Sequence, residues 1–142
     1  DIAKLWAMRD ESKAALVVKH DYKTKLREKY LGAKNEDYPR KNWSSFIAFN
    51  GAHPAVKALT PAVVNSAPPA YLHRFSWIPD DAIGALPLAW NFLVGEYPRP
   101  AETPHSIHFT NGGPWFENHQ NVDYGDLWCA ERDMYLRQYV AA

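Results

Sequence analysis

Ala14-Ala-Leu-Val-Val-Lys-His-Asp21 runs five apolar residues without a break into three polar ones. An apolar run that does not alternate suits a strand covered on both faces, as in a parallel or mixed sheet flanked by helices. The polar triplet then places the carboxyl end of that strand at a working edge. Ser45-Phe-Ile-Ala-Phe-Asn50 repeats the pattern and also ends in polar residues and a turn. Residues 90–94 and 107–110 read as two more strands, the second entered through a loop stiffened by Pro98, Pro100 and Pro104.

Helical signals lie between and around these runs. Asp1 is an acidic N-cap for a short amphipathic helix to about residue 10, with Ile2, Leu5 and Trp6 on neighbouring turns. Thr60-Pro61 is an N-cap and N1 pair for a helix to about residue 65, and residues 71–77 suit a further helical turn. From Asp123 onward, Tyr124, Leu127, Trp128, Met134, Tyr135 and Tyr139 keep helical spacing, with Asp123 and Asp126 at the positive end. Residues 23–42, charged and containing Gly32 and Pro39, read as an exposed loop or irregular helix. With no internal repeat and no linker, residues 1–142 form a single α/β domain.

Composition narrows the function. Lys plus Arg (16) equals Asp plus Glu (16), which removes the electrostatic case for a nucleic-acid or acidic-membrane partner. One cysteine, Cys129, excludes an internal disulfide and a multi-cysteine zinc site. The apolar runs are too short to span a bilayer and nothing reads as a signal peptide, so a soluble, cytoplasmic chain is expected. Six Trp, eight Tyr and six Phe supply either the core of a small domain or the walls of a sugar-binding cleft.

Ser106-Ile-His-Phe-Thr-Asn-Gly-Gly-Pro-Trp115 carries the chemistry. It delivers one imidazole, His108, from a strand into a Gly-Gly-Pro turn. A neutral imidazole nitrogen suits a divalent cation, and Asn111, Gly112 and Gly113 leave backbone N–H groups open to an anion.

Taken in order, Tyr38-Pro-Arg-Lys-Asn-Trp-Ser-Ser45, Phe49-Asn50, Trp90-Asn91 and the 106–115 segment resemble the C-terminal part of the family 8 glycosyltransferases, the glycogenin-like and lipopolysaccharide-galactosyltransferase-like enzymes, in a bacterial-type branch. The likeness runs from Asp1 to about Trp128. It implies a partial GT-A fold, a mixed sheet with flanking helices that lacks the N-terminal nucleotide-binding part. It also implies a nucleotide-sugar donor such as a uridine diphosphate sugar, a glycan or other acceptor, Mn2+, and transfer with retention. Asp1-Ile-Ala-Lys-Leu5 is similar to the helix that follows the family's Asp-x-Asp, and His108 matches its distant metal-binding His. The Asp-x-Asp itself does not occur in this sequence. The family's His-x-x-Gly-x-x-Lys-Pro-Trp is here one residue shorter, with Gly113 in place of the Lys.

The resemblance assigns a metal-ligand role to His108 and a place lining the sugar and acceptor pocket to Asp80 and Asp81, whose other reading is an acidic helix cap. Asp80, Asp81 and Asn91 are the catalytic candidates. Asn50, Trp90, Asn111, Gly112, Gly113 and Trp115 are substrate-binding candidates, with Lys41 (beside Arg40) supplying charge for a diphosphate. In sugar transfer such a cation neutralises the leaving group while a carbonyl or carboxylate steadies the positive charge on the ring. A chain carrying half of such a site is not expected to be active alone. Two other classes fit parts of the sequence: a non-catalytic carbohydrate-binding or interaction domain, and a small metal-dependent hydrolase built on His105, His108 and Asp123.

Overall fold

The computed structural model describes residues 2–139 and is a mixed α/β structure. Asp1, the expected N-cap, lies outside the described residues. Helix α1 covers Ile2–Ala7, and β1 (Ala15–Val17) forms within the opening apolar run. β1 is the centre of a three-stranded sheet, antiparallel to β2 (Ile47–Phe49) and parallel to β3 (Ile83–Ala85). Its register sets Leu16 opposite Ala48 on one side and Gly84 on the other.

Burial on both faces of β1 follows from its composition. Ala15 and Val17 pack with Phe75, Ile78 and Ile83, with Trp43 and Trp77 at the margin. Leu16 and Val18 pack on the opposite face with Leu86 and Trp90, with Leu5 of α1 alongside. Hence none of the run could be polar without burying an unpaired group.

The β2-to-β3 connection holds three short helices, α2 (Pro54–Lys57), α3 (Pro61–Ser66) and α4 (Pro69–His73). Thr60 caps α3 as its sequence requires, its Oγ1 accepting from the Val63 N–H at 3.3 Å, with Pro61 at the first helical position. Beyond β3, β4 (Phe92–Leu93) pairs in parallel with β5 (Ile107–His108), and this pair has its own apolar cluster of Phe92, Val94 and Tyr124. Helix α5 (Gly125–Tyr139) closes the description. Its spacing was legible, but Leu127, Met134, Tyr135 and Tyr139 are exposed, so the repeat does not mark a core-facing stripe among the described residues.

Phe75 is the largest side chain completely enclosed beneath the sheet, 1% exposed. Phe75→Ala is expected to lower stability by about 3–5 kcal/mol through lost burial and an uncollapsed cavity, read from the midpoint of urea denaturation.

Candidate polar site and aromatic cavity

Parallel strands point their carboxyl ends the same way, and side chains just past those ends meet. His20 follows β1 and Asn91 follows β3, and their side chains touch: Asn91 Nδ2 lies 3.1 Å from His20 Nε2. The same amide group also donates to the Asn42 carbonyl at 3.2 Å and to Ser45 Oγ at 2.8 Å. An N–H facing Nε2 makes that nitrogen the acceptor, so Nδ1 carries the proton and donates to the Tyr97 hydroxyl at 3.1 Å. Trp43 completes the clasp, its indole N–H donating to the His20 carbonyl at 2.9 Å.

This neutral arrangement has an electrostatic consequence. Burial, with a smaller contribution from His108, pushes the His20 pKa down from 6.5 to about 4. The unfolded chain therefore binds a proton at His20 that the folded chain refuses between those values. Stability is full above pH 6.5, declines as pH falls toward 4, and levels off below. His20→Gln is expected to flatten this decline in urea midpoints measured from pH 7 to 4.

A second set of polar groups adjoins the first. Asn42 Nδ2 donates to the Tyr22 hydroxyl at 2.7 Å and to Thr110 Oγ1 at 3.1 Å, and Lys29 Nζ donates to the same Thr110 oxygen at 3.3 Å. Buried Glu96 accepts from Asn111 Nδ2 at 2.8 Å and from the Lys25 N–H at 3.2 Å. Asn35 links this region to Lys41, accepting at 2.5 Å from its ammonium. Through these contacts much of the 23–42 loop is fastened to the turn after β5. Most of its residues are nevertheless exposed, as its charge suggested, and only Asn35 and Lys41 are buried.

His108 opens onto a cavity of about 510 Å³. Asn91, Ser45 and Ser106 contribute polar lining, while Tyr30, Trp115, Phe116 and Trp128 contribute aromatic surface. Tyr30 and Phe116 stack with centroids 4.7 Å apart, and Trp115 meets Trp128 at 5.0 Å. His108 Nδ1 is buried and without a hydrogen-bond partner. Burial first, and the Lys29 charge second, hold the His108 pKa below its ordinary value, so the ring is neutral near pH 7.

The Gly-Gly turn exists for packing as well as for backbone access. Gly112 has φ +135, and its missing Cβ leaves room for the His119 ring, which would otherwise be 2.7 Å away. At Gly113 a Cβ would lie 2.1 Å from the Trp115 ring. A lysine cannot occupy this position with Trp115 where it is. Of the backbone donors expected to be open, the Gly112 N–H closes a turn on the Phe109 carbonyl at 3.2 Å. Those of Asn111 and Gly113 meet no acceptor among the described residues. Gly113→Ala is expected to displace Trp115 and cost about 1–3 kcal/mol of stability, with a red-shifted tryptophan emission as the readout.

Several sequence candidates fall elsewhere. Asp80 is ion-paired with Arg40 on the surface, and the Asp81 carbonyl accepts from Lys13 Nζ at 2.8 Å, so neither lines the His108 cavity. Asn50 is spent on the Glu11 and Lys13 carbonyls at 3.0 and 3.1 Å and lines a separate, largely apolar groove beside α1. Trp90 is a core residue, 4% exposed and packed on His105 at 4.7 Å, not the floor of a sugar site. Lys41 is 6% exposed with its ammonium held by Asn35 and the Glu36 carbonyl, so it is no open anion ligand. The hydrolase grouping is not assembled: His105 lies on Trp90, and Asp123 pairs with Arg99 at 3.3 Å. Among the described residues no group of three His, Cys, Asp or Glu could hold a metal ion.

The structure does bring Asn91, His108 and Trp115 together on one cavity, whereas Asn111 turns its side chain to Glu96 and Asn35, and Gly112 and Gly113 lie outside the lining. It adds His20, Lys29, Glu96 and Tyr97, which sequence reading did not select. His20 had a signal, its place at the end of an apolar run, the same one that pointed to Asn91.

No family model matches this chain, and no solved structure matches it. Among curated proteins, Protein CDI of Arabidopsis thaliana is 41% identical over 142 residues, covering 97% of this chain. The alignment takes in 55% of that protein, so the chain spans about half the length of the relative it matches. No helix among the described residues is long and apolar enough to cross a membrane.

Proposed function

We propose that this chain is the acceptor-side portion of a nucleotide-sugar-dependent glycosyltransferase, with the aromatic cavity at His108 as its sugar-binding cleft. The observation that carries the reading is the cavity's composition. Broad aromatic faces suit the apolar faces of a pyranose ring, while Asn91, Ser45, Ser106 and His108 offer polar groups for its hydroxyls. Resemblance to the family 8 enzymes in the order of the motifs points the same way.

In such a transfer the bond from the anomeric carbon to the diphosphate oxygen breaks, a bond to an acceptor hydroxyl oxygen forms, and the hydroxyl proton passes to the departing diphosphate or to water. Negative charge grows on the diphosphate and positive charge on the ring. Asn91 is suited to orient the sugar through its Oδ1 alone, because its amide N–H groups are committed to His20, Asn42 and Ser45 and the side chain cannot rotate freely. His108, neutral and unpartnered at Nδ1, is suited to hold a polar group of the donor. A single imidazole does not make a Mn2+ centre, and the residues described here do not supply the remaining ligands.

A carbohydrate-binding role without catalysis is the second reading, favoured by the absence of a three-ligand group among the described residues. Transfer of labelled sugar from a uridine diphosphate sugar to a panel of glycans separates the two. With the protein at its full length, His108→Ala is expected to lower the transfer rate by about 100-fold, the usual cost of losing one transition-state partner. Glycan binding with no transfer by the parent protein would select the second reading. An unchanged rate in His108→Ala would remove His108 from the chemistry.

A further inference from the structure

Several donors around the turn that follows β5 lack an acceptor among the described residues. Thr110 Oγ1 receives both the Asn42 amide at 3.1 Å and the Lys29 ammonium at 3.3 Å. Two further N–H groups of Lys29 meet no acceptor among the described residues, nor do the backbone N–H groups of Asn111 and Gly113. His108 Nδ1, two residues before Thr110, is buried and unpartnered. The carboxylate whose field reaches Lys29 is Glu96, whose two oxygens accept from Asn111 Nδ2 at 2.8 Å and from the Lys25 N–H at 3.2 Å but make no hydrogen bond to Lys29.

Lys29 is held in place for this. Its loop is pinned to the turn by the Tyr30 N–H, which donates to the Asn111 carbonyl at 3.0 Å. The ammonium is close enough to His108 to oppose protonation of the ring, so the two groups share one local field. Partial burial lowers the Lys29 pKa, which marks its charge as incompletely compensated. Preorganised, unspent N–H groups beside an ammonium are a setting for a multivalent oxyanion. Two nearby cations are already held: the Lys41 ammonium by Asn35 and the Glu36 carbonyl, and the Lys25 ammonium by the Gly95 carbonyl at 3.0 Å.

We infer that Lys29, reaching from the 23–42 loop beside Thr110 and His108, is the cationic anchor of a phosphoryl-oxyanion site next to the aromatic cavity. The inference deepens the reading of that cavity as a nucleotide-sugar site and rests on it for the ligand's class, a diphosphate.

Titration calorimetry of the chain with inorganic pyrophosphate and, separately, with uridine diphosphate tests it. The parent is expected to bind both. Lys29→Met is expected to weaken pyrophosphate binding at least about 10-fold, with Lys29→Arg retaining most of it. In the parent, added pyrophosphate should shift the His108 side-chain nitrogen resonances, and in Lys29→Met it should not. Circular dichroism establishes that each variant is folded, and Lys29→Arg keeps the test decisive if Lys29→Met is not. Parent-level binding in Lys29→Met would overturn the inference, as would a folded parent that binds neither ligand. Binding of uridine diphosphate alone, indifferent to Lys29, would place recognition on the nucleoside and also overturn it. Sugar binding at the aromatic cavity is measured independently with glycans, so failure of the anchor and failure of the cavity reading are told apart.

Discussion

The side-chain amide of Asn91 joins three segments that are far apart in the chain. It shares its hydrogens among His20 Nε2, the Asn42 carbonyl and Ser45 Oγ, linking the residues beyond β1, the loop before β2 and the approach to β4. A buried amide N–H left without an acceptor would cost free energy, and here the acceptors for its two hydrogens come from the residues beyond β1 and from the loop before β2. The chain meets this demand because β1 and β3 run parallel, which puts His20 and Asn91 past the same end of the sheet. The fixed tautomer of His20, its contact to Tyr97 and the polar rim of the cavity all follow from that junction.

Charge is handled differently from neutral polarity in this interior. The neutral groups His20, Asn35, Asn42, Asn91 and Asn111 each have specific partners, whereas His108 Nδ1 has none among the described residues. The charges of Lys29, Lys41 and Glu96 sit close enough to affect one another, yet only Lys41 and Glu96 are well supplied with partners. Lys29 has one neutral hydroxyl oxygen. The uneven distribution leaves the Lys29 ammonium, with N–H groups to spare, beside a neutral imidazole, a setting that suits an anion.

Aromatic residues divide along similar lines. Trp43 and Trp90 support the sheet, while Trp115 lies half-exposed over Gly113 and against Trp128. All three adjoin polar or turn residues in the sequence, so local context could not separate core from cavity wall. The distinction depends on which surface each ring faces, and that is set by sheet pairing. Asp80 and Asn50 show the same limit. Their types suit a site, but Asp80 is neutralised by Arg40 on the surface and Asn50 is consumed by the backbone carbonyls of Glu11 and Lys13, just before β1.

By itself the sequence determined the mixed α/β class, the core run at residues 14–18, the Thr60-capped helix, the β5 position of His108 and the turn that follows it. Each of these is written in short-range terms: apolar runs, a cap, a glycine pair. Only tertiary structure decided that His20 meets Asn91, that Lys29 reaches Thr110, that Lys41 turns inward and that Asp80 stays outside. Those contacts span up to 81 residues of chain, and their free energy depends on which strands run parallel and on which donors find acceptors once water is excluded.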